Sequence, residues 1–321
     1  MKAITQYRYG GTEQLQVEEI EAPTPGPTDV LVRVRAAAVD RGTVHLMTGL
    51  PYAMRLGFGL RGPKHRVVGR DVAGVVEAVG AEVSGVAVGD EVIGTADGSL
   101  AELAVVPAGR LAAKPARLTF EEAAALPISG ATALHAARLS NITEGQRVLV
   151  IGASGGVGSY LVQLAAAYGA EVTGVASGAK ADLVRQLGAT RVIDYTREEI
   201  GDDGRTYDVI IDLGGLRPLR QLRRSLASTG TLVIAGGEGG DRWLGGTHRQ
   251  LAALTLSPFT HQRLTALMSR ETAETFAELG RLADEGVLRP QVERAYALDD
   301  TVKALDHLIA GHVRGKVAIT L

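Results

Sequence analysis

The spacing of apolar residues divides the chain into two regions of different period. Up to about residue 120 apolar and polar residues alternate in short segments such as 30–36, or form valine-rich runs such as 72–80 and 103–106. A period of two is typical of half-buried strands. The proline-rich segment 22–27 cannot join a sheet. This pattern predicts an all-β region of short strands that are separated by Gly and Asp turns.

Beyond residue 120 the pattern changes to strands that alternate with helices. Thr119 and Glu122 have the spacing of a capping box, which predicts a helix from residue 120. Apolar strands are predicted at 147–151, 171–175, 191–193, 209–212 and 231–235, with helices at 156–168, 179–187 and 217–227. Buried strands that alternate with helices indicate parallel βαβ units.

The pattern of the last fifty residues predicts two helices and a final strand, which differs from the preceding alternation of strands and helices. Helices are expected at 271–285 and around 299–310, followed by a closing strand at 317–321. No helix and parallel strand follow that strand, so it does not continue the βαβ series. We therefore expect it to return to the first region.

Composition excludes several classes of function. The 321 residues include 41 glycines and no cysteine, which excludes disulfides, thiolate nucleophiles and Cys-ligated zinc or iron–sulfur clusters. The 34 basic and 36 acidic residues give a net charge of −2 without a basic block, so no nucleic-acid partner is expected. The sequence shows neither a signal peptide nor an apolar stretch of about 18 residues, so we expect a cytoplasmic protein without a membrane partner.

A glycine-rich turn joins the first predicted parallel strand to its helix. The turn comprises Gly152, Ala153, Ser154, Gly155, Gly156, Val157 and Gly158, with Ala153 in place of the first glycine of the strict dinucleotide fingerprint. Glycines allow the backbone to turn sharply and to approach a pyrophosphate. The helix N-terminus offers that anion unpaired N–H groups. The turn therefore predicts a dinucleotide-binding site.

The end of the second strand indicates which dinucleotide binds. An Asp or Glu at that position would hold the ribose 2′-hydroxyl of NAD and would repel a 2′-phosphate. Here the strand is followed by Ser177 and Lys180, and Tyr195 comes just after the third strand. The alternative is that Lys180 is a solvated lysine and Tyr195 an ordinary loop aromatic. The absence of the carboxylate favours NADPH over NADH.

With both regions interpreted, the sequence resembles the medium-chain dehydrogenase/reductase superfamily over essentially its whole length. The resemblance rests on the motifs at 69–80, 89–92, 98–102, 155–158 and 314–317. It implies an α/β protein in which a groES-like β-rich catalytic domain, residues 1–122 and 271–321, accompanies a Rossmann domain, residues 123–270, with a doubly wound parallel sheet and NADPH as cofactor.

Within this superfamily the chain looks like the zinc-independent branch, that of the quinone oxidoreductases similar to zeta-crystallin, because of two positions. Asp40 stands where zinc-dependent members of the superfamily have a Cys ligand, and Arg70 stands where they have a His. A saturated ketone needs a Lewis acid or a strong proton donor during hydride transfer. A quinone or an α,β-unsaturated carbonyl is already electron-poor and needs mainly positioning and a few hydrogen bonds. The resemblance therefore implies a small electrophilic acceptor of this kind and no metal.

The resemblance also implies roles for individual residues. Asp40 occupies a position that usually carries an Asn facing the nicotinamide. It either donates a hydrogen bond with a raised pKa, binds a cofactor amide, or is a loop carboxylate paired with Arg41 or Arg70. The other two catalytic candidates are Tyr52, as a hydrogen-bond donor or an aromatic wall, and His45, as a proton relay or a packed histidine. The remaining cofactor contacts implied are Thr132, Leu213, Gly214, Gly236, Gly237 and Lys316.

Two other functions remain open at this stage. One is an enoyl-thioester reductase of a biosynthetic pathway, which a channel lined with Arg55, Arg61, Lys64, His65 and Arg66 would favour. The other is a cofactor-binding protein without catalysis, which the unusual Asp40 would favour. Analogy with the family suggests a homodimer.

Overall fold

The computed structural model describes residues 1–237 and 240–321. The strands are β1 (Lys2–Gln6), β2 (Leu15–Glu19), β3 (Asp29–Val39), β4 (Asp71–Val79), β5 (Glu91–Thr95), β6 (Leu103–Pro107), β7 (Leu111–Ala113), β8 (Arg147–Ile151), β9 (Glu171–Ala176), β10 (Arg191–Asp194), β11 (Tyr207–Asp212), β12 (Leu226–Ile234), β13 (Arg263–Ala266), β14 (Val292–Ala297) and β15 (Lys316–Thr320). The α-helices are α1 (Arg41–Thr48), α2 (Arg55–Phe58), α3 (Phe120–Ala124), α4 (Pro127–Ser140), α5 (Gly156–Ala167), α6 (Ala181–Gln186), α7 (Leu219–Arg224), α8 (Thr247–Leu256), α9 (Ala273–Asp284) and α10 (Thr301–Ile309). Short 3₁₀ turns occupy Thr12–Gln14, Tyr52–Met54, Ala108–Arg110, Gly178–Lys180, Ser257–Phe259 and Leu298–Asp300.

The first unit contains Met1–Ala131 and Arg270–Leu321 and is built on a β-sheet. The sheet has the order β14-β15-β3-β4-β5-β7, with β6 also paired to β3, and β1 and β2 form a separate antiparallel pair. The closing strand β15 runs antiparallel to β3 and parallel to β14, so it returns to the first region as expected. Apolar side chains such as Val39, Leu305 and Ile319 are fully buried in one core of this unit.

The second unit, Thr132–Ser269, contains a six-stranded parallel sheet. Its order is β10-β9-β8-β11-β12-β13, which is the order of a dinucleotide-binding fold that turns direction between its first and fourth strands. The alternation of strands and helices that the sequence predicts is present, and the predicted fold class is confirmed. Because all six strands run in parallel, their carboxyl ends meet at one edge of the sheet.

Several elements differ from the sequence prediction. The first region is not purely β, since α1 and α2 interrupt it. The helix predicted at 217–227 ends at Arg224, and β12 begins at Leu226, which is buried and pairs with Tyr207 of β11. The pattern also misses α8, β13 and β14; β14 is an edge strand with most of its residues exposed, so it shows no apolar alternation. Within the described part of the chain, no helix has both the length and the apolar character that crossing a membrane requires.

Candidate functional site

The predicted phosphate-binding turn lies between β8 and α5 of the second unit. Gly155 is the N-cap of α5, and its amide group donates to the carbonyl oxygen of Gly152 at 3.1 Å. A Cβ atom at position 158 would lie 2.1 Å from that same carbonyl oxygen. Only glycine therefore allows the helix to start this close to the strand. The first-turn amide groups of α5 lie at the carboxyl edge of the sheet, where this fold binds pyrophosphate.

Three residues predicted to select the cofactor follow neighbouring strands. Ser177 comes directly after β9, Lys180 ends the short 3₁₀ turn that follows, and Tyr195 comes directly after β10. The amide group of Tyr195 donates to the carbonyl oxygen of Ala176 at 3.3 Å, so the ends of β9 and β10 lie side by side.

Sequence reasoning missed a carboxylate in this group of residues. Asp194 ends β10, and its pKa is lowered by hydrogen bonds from the hydroxyl and amide groups of Thr196 and from the amide group of Gly178. A Cβ atom added to Gly178 would approach the Asp194 carboxylate closely, so this acid adjoins the turn that carries Lys180. An acid that ends a parallel strand is the signal that could have revealed it.

Asp212 at the end of β11 holds together the two turns that contain Leu213, Gly214, Gly236 and Gly237. Its Oδ1 atom accepts hydrogen bonds from the amide groups of Gly214 and Gly215, both at 3.1 Å. Its backbone carbonyl accepts from the amide groups of Ala235 and Gly236 at 3.0 and 2.9 Å. The turns also touch directly, since a Cβ at position 236 would lie 2.0 Å from the carbonyl oxygen of Leu213. The predicted residues are thus brought together by the side chain and the backbone carbonyl of a residue that the sequence did not single out.

The Asp212 carboxylate has a buried cationic partner. Nη2 of Arg249, on α8, donates to Oδ2 of Asp212 at 2.5 Å. Both side chains are buried, with exposed fractions of 8% for Arg249 and 1% for Asp212.

In the first unit Asp40 is the N-cap of α1. It forms a capping box with Thr43, whose amide group donates to Oδ1 of Asp40 at 3.1 Å. Oδ2 of Asp40 accepts a hydrogen bond from Nζ of Lys316 at 3.1 Å. Burial raises the pKa of Asp40, but the charge of Lys316 and the hydrogen bonds of Thr43 and Lys316 outweigh it and leave the pKa below its usual value. The lowered pKa favours an ionised carboxylate over the alternative of a protonated donor.

Lys316 joins Asp40 to a second carboxylate. Its Nζ atom donates to Oδ2 of Asp71 at 2.9 Å, and Oδ1 of Asp71 accepts from the amide group of Ile128 at the start of α4. The side chains of Lys316 and Asp71 are each 1% exposed. Burial raises the pKa of Asp71 to about 6, with the charge of Lys316 opposing this and that of Asp40 adding to it. Burial lowers the pKa of Lys316, but the two carboxylates raise it by more, so the ammonium is charged.

The residues at the implied zinc position do not fit a metal. Both Nη atoms of Arg70 donate to the carboxylate of Glu271, at 3.0 and 2.6 Å, and not to Asp40. Asp40 has the Lys316 ammonium as its ion-pair partner. A guanidinium in a ligand set opposes a cation with a cation. Across residues 1–237 and 240–321, no group of three or more His, Asp or Glu side chains could hold a metal ion.

The remaining predicted residues have local partners. Nδ1 of His45, on α1, lies 2.8 Å from the carbonyl oxygen of Leu50. The guanidinium of Arg55 lies 4.6 Å from the ring centre of Tyr52, which is half-buried. Thr132 is half-buried on α4 and is the first residue of the second unit.

The glycine turn and the order of the parallel sheet define a dinucleotide-binding protein of the Rossmann type, accompanied by a β-rich unit. Comparisons with known proteins agree. Residues 26–116 match the model of the alcohol dehydrogenase GroES-like domain, and residues 187–319 match that of the zinc-binding dehydrogenases. The chain is 31% identical to the mitochondrial NAD(P)H oxidoreductase RTN4IP1 of Mus musculus, over 92% of this chain and 82% of the relative.

Two further matches cover nearly the whole chain. The 2-methylene-furan-3-one reductase of Solanum lycopersicum is 31% identical over 99% of this chain and 79% of its own length. The solved structure of the quinone oxidoreductase from Coxiella burnetii has a TM-score of 0.88 and 28% identity, and the match covers 100% of this chain and 99% of that one. The chain belongs to the medium-chain dehydrogenase/reductase superfamily, in its quinone and enone reductase branch, and is an NAD(P)H-dependent oxidoreductase. The predicted family and enzyme class are confirmed.

The raised pKa of Asp71 predicts a pH dependence of stability. The folded protein holds this proton more tightly than the unfolded chain, so stability is lost as the pH rises from about 4 through about 6. Over that range we expect the free energy of unfolding of the wild type to fall by about 1–3 kcal/mol relative to Asp71→Asn. Urea titrations at several pH values measure it. The lowered pKa of Asp40 acts in a separate window, since the stability it contributes is lost only as the pH falls below about 4.

The exposed Asp97 provides the control. Asp97→Asn is expected to leave the pH profile of the wild type unchanged. Parallel profiles for the wild type and Asp71→Asn would contradict the assignment.

Proposed function

We propose that this protein is an NADPH-dependent, zinc-free reductase of quinones or α,β-unsaturated carbonyls. The observation that carries the proposal is the turn from Gly152 to Gly158 between β8 and α5, in a sheet of dinucleotide-binding order. Support for the acceptor class comes from the relatives, one named for a quinone and one for a ketone conjugated to a methylene group. Support for the absence of zinc comes from the Arg70–Glu271 and Lys316–Asp40 pairs.

The residues present fit a dinucleotide. Gly158 lets the start of α5 approach the carbonyl oxygen of Gly152, and Gly236 lets the turn after β12 approach that of Leu213. The first turn of α5 offers amide groups to a pyrophosphate. In the proposal Ala153, Ser154, Gly155, Gly156, Val157 and Gly158 hold the pyrophosphate, Ser177, Lys180 and Tyr195 hold the 2′-phosphate, and Thr132, Leu213, Gly214, Gly236 and Gly237 line the nicotinamide half. When bound, the cofactor supplies the hydride.

The catalytic candidates Asp40, Tyr52 and His45 all lie in the first unit. Asp40 is an ionised N-cap and cannot donate a hydrogen bond, so in the proposal it accepts one, from a cofactor amide. The hydroxyl group of Tyr52 donates to the acceptor's carbonyl oxygen, and His45 relays the proton, which comes from water. In the proposal Lys316 acts on the cofactor through Asp40, because the carboxylates of Asp40 and Asp71 already bind its ammonium group.

We further propose that the enzyme works as a cytoplasmic homodimer. Strand β13 ends the six-stranded sheet, and Leu251 and Phe259 beside it in the chain are 55% and 87% exposed. Two β13 edges can pair about a two-fold axis and cover these side chains. Sedimentation is expected to give twice the chain mass for the wild type and the chain mass for Leu251→Glu/Phe259→Glu. A monomeric wild type would contradict the dimer. Recovery of the protein in a membrane or organelle fraction of expressing cells would contradict the cytoplasmic location.

The reaction is tested by following NADPH oxidation with four acceptors: 1,4-benzoquinone, 2-cyclohexen-1-one, crotonyl-CoA and cyclohexanone. We expect turnover of the quinone and the enone at least about 100-fold faster than that of the saturated ketone, because conjugation spreads the delivered charge. Chelators are expected to leave the rate unchanged. The thioester as the best acceptor would favour the enoyl-thioester reductase. NADPH binding without oxidation across the panel would favour a binding protein.

The preference for NADPH is tested at Lys180. A phosphate contact of a lysine contributes about 1.5–3 kcal/mol, so Lys180→Ala is expected to raise the Kd for NADPH by about 10–150-fold and to leave that for NADH unchanged. Fluorescence titration measures both. Arg185→Ala, an exposed cation on the next helix that pairs with Asp182, is the control. Equal or tighter binding of NADH by the wild type would overturn the argument from Ser177 and Lys180. It would indicate that the Asp194 carboxylate, which adjoins the same turn, repels the 2′-phosphate.

A further inference from the structure

Arg249 is a buried cation whose hydrogen bonds are incomplete. Its Nη2 atom donates to Asp212, whereas Nε and Nη1 are buried and have no hydrogen-bond partner among residues 1–237 and 240–321. A buried donor without a partner costs stability, and a well-packed apolar side chain often stabilises a fold as much as a buried ion pair does. Stability alone therefore does not account for an arginine at this position.

The partner of Arg249 connects two turns. The Asp212 carboxylate fixes the amide groups of Gly214 and Gly215, and its backbone carbonyl fixes those of Ala235 and Gly236. Arg249 holds the other carboxylate oxygen. Since the guanidinium is itself buried, it limits the positions that the carboxylate and the turn after β11 can take. That turn packs against Gly236 of the turn after β12, so its position also affects the second turn.

The order of the sheet assigns these turns to one half of the cofactor. In a sheet of order β10-β9-β8-β11-β12-β13, each set of three strands binds one mononucleotide, and the pyrophosphate lies where the order reverses between β8 and β11. Ser177 and Lys180 follow β9 and therefore belong to the adenosine half. The turns after β11 and β12 belong to the nicotinamide half.

We propose that Arg249 is a positioning residue for the nicotinamide half of the cofactor and acts through Asp212. This rests on the proposed function only in that it takes a nicotinamide dinucleotide as the ligand. The ion pair keeps the turns after β11 and β12 in the arrangement that receives the nicotinamide and its ribose. The adenosine half lies on the other three strands and does not depend on this pair.

The experiment compares two ligands on one variant. Arg249→Lys keeps the charge but loses the planar guanidinium that reaches Asp212. We expect the Kd of NADPH to rise about tenfold, as for loss of a charged hydrogen bond, while the Kd of 2′,5′-ADP, which has no nicotinamide half, changes less than about twofold. Fluorescence titration and calorimetry on the full chain measure these values, and the melting temperature is recorded alongside. Arg223→Lys is the matched control, an arginine of the same unit that bonds to Gln262.

Every outcome of this experiment either supports or overturns one of the two proposals. Wild type that binds neither NADPH nor 2′,5′-ADP contradicts the proposed function itself. Wild type that binds both, with Arg249→Lys binding both equally well, overturns the role of Arg249, as does an equal loss of both ligands. Should Arg249→Lys not fold, Asp212→Asn takes its place, because the amide oxygen still accepts from Gly214 and Gly215; selective loss of NADPH supports the proposal and any other pattern overturns it.

Discussion

The first unit depends on the ion pairs that the buried ammonium of Lys316 forms with Asp40 and Asp71. Lys316 begins the last strand of the chain, and its two carboxylate partners begin α1 and β4. Through Asp71 it also reaches the amide group of Ile128 at the start of α4. Three charges buried together are costly unless each is paired and hydrogen-bonded. The strand, the two helices and β4 must therefore keep these positions together.

The second unit uses the same principle with the opposite central charge. There the buried centre is the Asp212 carboxylate, and its partners are backbone amide groups and the guanidinium of Arg249. In both units a charged side chain at the first or last residue of a strand fixes backbone that the sheet alone would leave free. Lys316 fixes helix starts, and Asp212 fixes the turns after two parallel strands.

The repeating parts of the fold could be predicted from the sequence, because strand and helix periods and the glycine turn are local signals. Elements whose position depends on distant partners could not. Strand β14 is exposed and exists through its pairing with β15, and β12 starts early, at Leu226, which pairs with Tyr207. At the site, Lys316 was predicted as a cofactor ligand, but only the folded chain shows that Asp40 and Asp71, 276 and 245 residues away, engage its ammonium. The ion pair between Asp212 and Arg249 was not predicted for the same reason, since these residues are 37 positions apart.

The ionisation state of Asp40 restricts the chemistry of the proposed site more than the residue type does. A neutral Asn at this position could donate to a developing enolate oxygen, and so could a protonated Asp, but the ammonium of Lys316 keeps Asp40 ionised. The cluster of Asp40, Asp71 and Lys316 carries one net negative charge above about pH 6, when Asp71 has lost its proton. At neutral pH neither carboxylate of this cluster holds a proton that it could donate to a carbonyl. With Asp40 ionised, the proposed site suits an acceptor that is already electron-poor, such as a conjugated carbonyl or a quinone, better than a saturated ketone.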